Sequence, residues 1–292
     1  MSIMIFSGAV KNNPMLDKLL ICTDLDRTLI PNGHQPLCPQ AMPLFRKLVA
    51  RPEIELAYVT GRDKKLVMDA IARFNLPVPD YAVTDVGSTV YQIQSGRWLR
   101  LIDWDQHICR DWKGKSRKDL AVFLSDLTQC QLQEEEKQGR YKLSYYVPLD
   151  INPGILTDEI QLRIKPHGLQ INTIWSIDEQ KKSGLLDILP ASADKREAIE
   201  FLMKTNSFDC DHTVFSGDSG NDIAVLLSPI KSILVANASP ELKSQMQAQM
   251  GKAASSKQLY IARGGYLNMN GNYAAGILEG IHHYFPELKL MD

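Results

Sequence analysis

Asp24-Leu-Asp26-Arg-Thr28 puts two carboxylates two residues apart where an apolar run ends. A carboxylate there can attack phosphorus and form an aspartyl-phosphate. A second one beside it can give a proton to the leaving oxygen and later take one from water. The attack meets an electrostatic obstacle: a carboxylate about 4 Å from a phosphate dianion is opposed by about 4 kcal/mol per charge pair at an effective dielectric of ~20. A divalent cation and a lysine would remove that repulsion. Gly217-Asp218-Ser-Gly-Asn221-Asp222 follows another apolar run and offers further carboxylates, and Lys195 opens a helical pattern. Oxygen ligands without His or Cys suit Mg²⁺. Tyr58-Val-Thr60-Gly61-Arg62 adds a hydroxyl at a third strand end, so Thr60 and Asn221 are candidates to hold phosphoryl oxygens. Turn and capping preferences account for some of these residues. They do not account for two glycines and two acids together in Gly217–Asp222.

Those groups need a scaffold that brings distant segments to one edge. Lys18–Asp24, Ile54–Thr60, Tyr81–Thr84, His212–Phe215, Ser232–Val235 and Leu259–Ala262 read as buried strands. Between them lie helical patterns at Arg62–Phe74 and Lys195–Lys204, and one that opens at Asp222. Strands alternating with helices predict an α/β fold with a parallel, Rossmann-like sheet. In such sheets ligands bind outside the carboxyl ends of the strands.

The middle of the chain differs. Thr89–Tyr91, Trp98–Ile102, Lys142–Val147 and Leu169–Trp175 include segments that alternate apolar and polar, as strands with one wet face do. Helical patterns lie at Lys118–Leu127 and Ile155–Ile164. The expectation is a core of residues 1–88 and 191–292, interrupted by a smaller α+β domain over 89–190. Trp104, Trp112 and Trp175 are expected in the interior.

Composition narrows the function. The chain has 292 residues and a net charge of −1, which argues against nucleic acid and against a polybasic membrane contact. No stretch approaches the roughly 20 apolar residues that span a bilayer. The first residues make a poor signal peptide. Five cysteines without a CxxC pair indicate neither zinc nor a disulfide framework. A reducing cytoplasm is the expected location. Ser216 and Ser219 lack a GxSxG elbow, which argues against a serine hydrolase.

Four segments, Asp24–Thr28, Thr60–Arg62, Lys195 and Gly217–Asp222, together resemble the motifs of the haloacid dehalogenase phosphatase superfamily, in its order. The resemblance implies Asp24 as nucleophile and Asp26 as acid/base. It implies phosphate contacts from Thr60, Gly61, Lys195 and Asn221, and Mg²⁺ on Asp24, the main-chain carbonyl of Asp26, and Asp218, with Asp222 in support. The insert looks like that superfamily's type II, subclass B cap. Asp85–Val90, Trp104-Asp105, Lys142–Tyr146, Leu186–Pro190, Asn237–Leu242 and Gly271–Glu279 are similar to the sucrose-phosphate phosphatase branch. A sugar phosphate is then the implied substrate, with Lys142 and Asn172 as candidate sugar contacts. Relatives acting on other glycosyl phosphates, a phosphomutase, and a regulatory partner of a glycosyltransferase such as a sucrose-phosphate synthase-like enzyme are the alternatives. Arg27 and Arg196 stand where glycine is usual.

Overall fold

In the computed structural model, which describes residues 18–178, 181–250 and 258–289, the strands are β1 (Leu19–Thr23), β2 (Ile54–Val59), β3 (Tyr81–Thr84), β4 (Thr89–Gln94), β5 (Arg97–Arg100), β6 (Gln131–Leu132), β7 (Leu143–Val147), β8 (Ile171–Asp178), β9 (Ser183–Pro190), β10 (Thr213–Gly217), β11 (Lys231–Leu234) and β12 (Leu259–Ile261). Eight form one sheet in the order β12-β11-β10-β1-β2-β3-β4-β5. From β12 to β3 every pairing is parallel, and β4 and β5 continue antiparallel.

All five residues of β1 are buried, because helices cover both faces of a parallel sheet. Leu20 and Cys22 join one apolar cluster, and Leu19 and Ile21 join the other. From β1 the chain builds outward through β2 and β3, then returns to the other side of β1 as β10. That reversal opens a crevice at the carboxyl ends of β1 and β10. Among the described residues no helix is long and apolar enough to cross a membrane.

Two helices next to the crevice are fixed by their caps. Asp63 accepts the Leu66 N–H at 2.8 Å and starts Lys64–Phe74. Asp194 accepts the Glu197 N–H at 2.8 Å and starts Lys195–Thr205. Each cap occupies a donor that a helix end otherwise leaves unpaired.

The four-stranded sheet β6-β7-β9-β8 is antiparallel. The helices Arg117–Phe123 and Pro153–Ile164 bury Leu120, Leu156, Ile160 and Ile164 in the same apolar cluster as β7 residues Leu143 and Tyr145. The expected insert from residue 89 needs adjusting. Thr89–Gln94 and Arg97–Arg100 pair onto β3 and belong to the large sheet. An edge strand of a large sheet has a wet face just as a strand of a small sheet does, so alternation could not separate the two. Trp104 and Trp112 are fully buried. Trp175 is half-buried, and its ring occupies the space that a side chain at Gly184 would need.

Candidate active site

The ends of β1, β2 and β10 bring Asp24, Thr60 and Asp218 to the crevice, and the capped helix start brings Lys195 beneath them. The Lys195 ammonium is 2.9 Å from Asp24 Oδ2 and donates to Asp222 Oδ1 at 2.7 Å and Asn221 Oδ1 at 2.9 Å. Burial would lower the pKa of this lysine, but Asp222 and Asp24 outweigh it and hold the ammonium above its ordinary value. Burial, opposed by Lys195 and reinforced by Asp222 and Asp218, pushes the Asp24 carboxyl up to about 7. Burial and Asp222 push Asp218 up to about 6.

Asp222 is used up as an organiser. Its Oδ2 accepts the N–H groups of Asp218 and Ser219 at 3.0 Å each, and its Oδ1 accepts from Lys195. Gly217 permits this fold-back, since a Cβ there would lie 2.5 Å from the Asp222 carboxylate. Asp218 Oδ1 accepts the Thr28 hydroxyl at 3.0 Å, and Arg27 Nε lies 3.3 Å from its Oδ2.

Carboxylate oxygens of Asp24, Asp218 and Asp222 lie within 4.8 Å of one another. Three buried hard donors at that spacing fit a hard divalent cation. The raised carboxyls are what crowded acids show before such a charge neutralises them. With Asp222 held by its donors, Asp24 and Asp218 have the freer oxygens. The Asp26 side chain stands apart from this cluster.

Asp26 faces Arg62 instead. Arg62 Nε donates to Oδ2 and Nη2 to Oδ1, both at 2.7 Å, and Asn32 Nδ2 donates to Oδ1 at 2.7 Å. Burial would raise this carboxyl, but the Arg62 and Asn32 bonds hold it below the usual carboxylate range. Asp26 is therefore an acceptor at rest. A phosphate dianion nearby would oppose that and favour the protonated form.

A cleft of about 380 Å³ joins these groups to the small sheet. Asp24, Asp26, Thr60, Gly61, Asn221 and Asp218 line one end, and Lys142, Asp187, Gln133 and Ser176 the other. Lys142 is buried with its ammonium 3.7 Å from Asp85 and 3.9 Å from Asp187. Asn172 lies on β8 but does not line the cleft, whereas Ile174 and Ser176 further along do.

Sequence reasoning left Arg62, Asn32 and Asp85 without roles. Arg62 stood inside a recognised motif, yet its side-chain direction is a tertiary fact. Asp85 lies on a strained loop: Asp85 and Val86 have φ of 53° and 58°, and for a β-branched residue this is a genuine outlier. The loop is held by Asp85 N–H to Arg62 O at 2.9 Å and Val86 N–H to Thr60 O at 3.2 Å. Gly87, at φ +100°, lies so close to Asp194 that a Cβ would sit 2.4 Å from its backbone. One loop thus ties the Thr60 segment, the Lys195 helix start and Lys142 together.

A doubly wound sheet with its acids, hydroxyl and lysine gathered at the switch point defines a phosphatase of the haloacid dehalogenase type, a phosphoric monoester hydrolase. The crystal structure of the sucrose-phosphatase from Synechocystis sp. PCC6803 in complex with sucrose and phosphate superposes with a TM-score of 0.73 at 25% identity, covering 92% of this chain and 98% of that one. A Nitrosococcus oceani protein, described at the level of a HAD-like hydrolase, is 48% identical over 94% of this chain and 74% of its own length. Sucrose-phosphatase 1 of Nicotiana tabacum is 28% identical over 91% of this chain, which spans 59% of the tobacco protein. The sucrose-6F-phosphate phosphohydrolase family model matches residues 17–285, and the chain belongs to that family.

Proposed function

We propose that the chain is an Mg²⁺-dependent phosphatase of a disaccharide phosphate, sucrose 6-phosphate or a close glycosyl phosphate, acting through an aspartyl-phosphate on Asp24. The observation that carries this reading is the single cleft running from the Asp24 cluster to Lys142 and Asp187 on the small sheet. Its volume of about 380 Å³ falls in the ordinary range for small-molecule sites.

Thr60, Gly61 and Asn221 would receive the phosphoryl oxygens. Lys195 favours the ionised form of Asp24 and offsets the charge of the arriving phosphate. Asp24 and Asp218, with the Asp26 carbonyl, would hold the cation, which when bound neutralises charge on phosphate and carboxylates alike. Asp24 attacks phosphorus, and Asp26 protonates the departing sugar oxygen, then deprotonates the water that frees Asp24. We read the segment from β6 to β9 and its two helices as a cap that selects the sugar, with Lys142 and Asp187 offering a cation and a carboxylate to its hydroxyls. A glycosyltransferase that forms the phosphorylated disaccharide would precede this step.

The test is phosphate release from sucrose 6-phosphate, mannosylfructose phosphate, glucosylglycerol phosphate and simple hexose phosphates, with Mg²⁺ and with chelator. Disaccharide phosphates should be hydrolysed best, and only with the cation. No release from any of them by the folded protein refutes the reading.

A further inference from the structure

The two oxygens of Asp26 are not equivalent. Oδ1 accepts from both Arg62 Nη2 and Asn32 Nδ2, whereas Oδ2 accepts from Arg62 Nε alone. A carboxylate oxygen has two lone pairs, so Oδ1 is filled and Oδ2 keeps one lone pair for a proton. Arg62 contacts both oxygens and cannot distinguish them. Asn32 makes the difference.

Asn32 is itself held in one orientation. Its Oδ1 accepts the Arg27 N–H at 2.8 Å, and its own N–H donates to Ile30 O at 2.9 Å. The Arg27 donor fixes which end of the amide is oxygen, leaving the NH₂ end for Asp26. Asn32 is exposed and does not line the cleft, so it acts on the reaction through Asp26 and not on the substrate.

We propose that Asn32 is a positioning residue that reserves Oδ1 of Asp26, so that Oδ2 carries the proton exchanged in both chemical steps. This rests on the reading of Asp26 as the acid/base. In the first step Asp24 bonds to phosphorus and the phosphorus–sugar-oxygen bond breaks. Its electron pair stays on the sugar oxygen, which takes the proton from Oδ2. In the second, water bonds to phosphorus while Oδ2 takes a water proton, and the bond from Asp24 to phosphorus breaks, returning its pair to the Asp24 carboxylate. Inorganic phosphate leaves and Asp26 is protonated again.

The experiment compares wild type, Asn32→Ala and Asp26→Ala in single turnovers, following alcohol release from a sugar phosphate and phenol release from 4-nitrophenyl phosphate. The aryl oxide departs without needing a proton, and the sugar oxygen does not. General acid catalysis contributes about 10²–10⁴-fold, and losing its aim but not its proton should cost about 10–100-fold on the sugar phosphate. On the aryl phosphate the loss should be far smaller, KM should change little for either, and Asp26→Ala should show the same contrast in exaggerated form. Thermal unfolding confirms that each variant is folded. Equal losses on both substrates, or no loss on the sugar phosphate, overturn the assignment to Asn32. If wild type hydrolyses neither substrate, the phosphatase reading itself fails, and the assignment falls with it.

Discussion

Asp218→Asn should make the metal-free protein more stable while abolishing turnover. Asp218 is buried, and its carboxylate lies within 4.8 Å of those of Asp24 and Asp222. Two like charges within 4.8 Å of each other repel by at least about 3.5 kcal/mol at an effective dielectric of ~20. The Asp218 carboxyl, raised from 3.8 to about 6, gives a comparable figure, about 3 kcal/mol, from the free-energy equivalent of a pKa shift. Asparagine keeps an acceptor for the Thr28 hydroxyl and removes the charge. At about 2–4 °C per kcal/mol for a chain of this size, the melting temperature in chelator at pH 7.5 should rise by about 6–14 °C. The sign follows from linkage. A carboxyl raised in the folded state binds more protons folded than unfolded, so stability is lost as pH climbs from its ordinary value through about 6. At pH 5, midway between the ordinary and the raised values, about half of the variant's advantage should be gone, and the rest should vanish only near the ordinary value. Added Mg²⁺ should stabilise wild type at pH 7.5 and barely affect Asp218→Asn. A variant that melts lower than wild type at pH 7.5 in chelator, or whose advantage is undiminished at pH 5, would refute the electrostatic account.

Lys195→Met leaves Asp24 and Asp222 buried without their cation, and should cost about 3–5 kcal/mol, read as a lower denaturant midpoint at neutral pH, with part of the loss recovered in acid. Chelation should stop phosphate release and Mg²⁺ should restore it; full activity after exhaustive metal removal would exclude the cation role of Asp24 and Asp218. Lys142→Ala should raise KM for disaccharide phosphates about 10-fold or more, as loss of a charged hydrogen bond does, with much less effect on 4-nitrophenyl phosphate. Gly217→Ala forces a Cβ to within 2.5 Å of the Asp222 carboxylate and should lower both melting temperature and kcat.

The parallel sheet was legible because its strands are buried on both faces, and a run such as Leu19–Thr23 leaves little else to infer. The acids were legible for the same reason: charge directly after such a run has to sit at a strand end. Less of the remainder could be read. The helix Ala41–Val49 starts after Gln40 without a side-chain cap, so its N-terminus gives no signal. For β4 and β5 the pattern was right and the sheet wrong, since pairing partners are set by the β3–β4 connection and not by alternation. Asn172 shows a related gap, because position on a strand does not say how far along that strand a cleft extends. The partners of Asp26 were hidden because Arg62 approaches from 36 residues away.

One apolar cluster runs without a break from Leu20 and Val59 on the large sheet, through Trp104 and Phe201, to Leu143, Ile160 and Ile188 around the small one. The interior beneath the small sheet is therefore continuous with that of the large one. Melting should be a single cooperative transition, and amide exchange in β7 and β9 should be coupled to that in β2. An insert exchanged between relatives should fold well only if the matching face of the large sheet, including Leu20 and Val59, is carried with it.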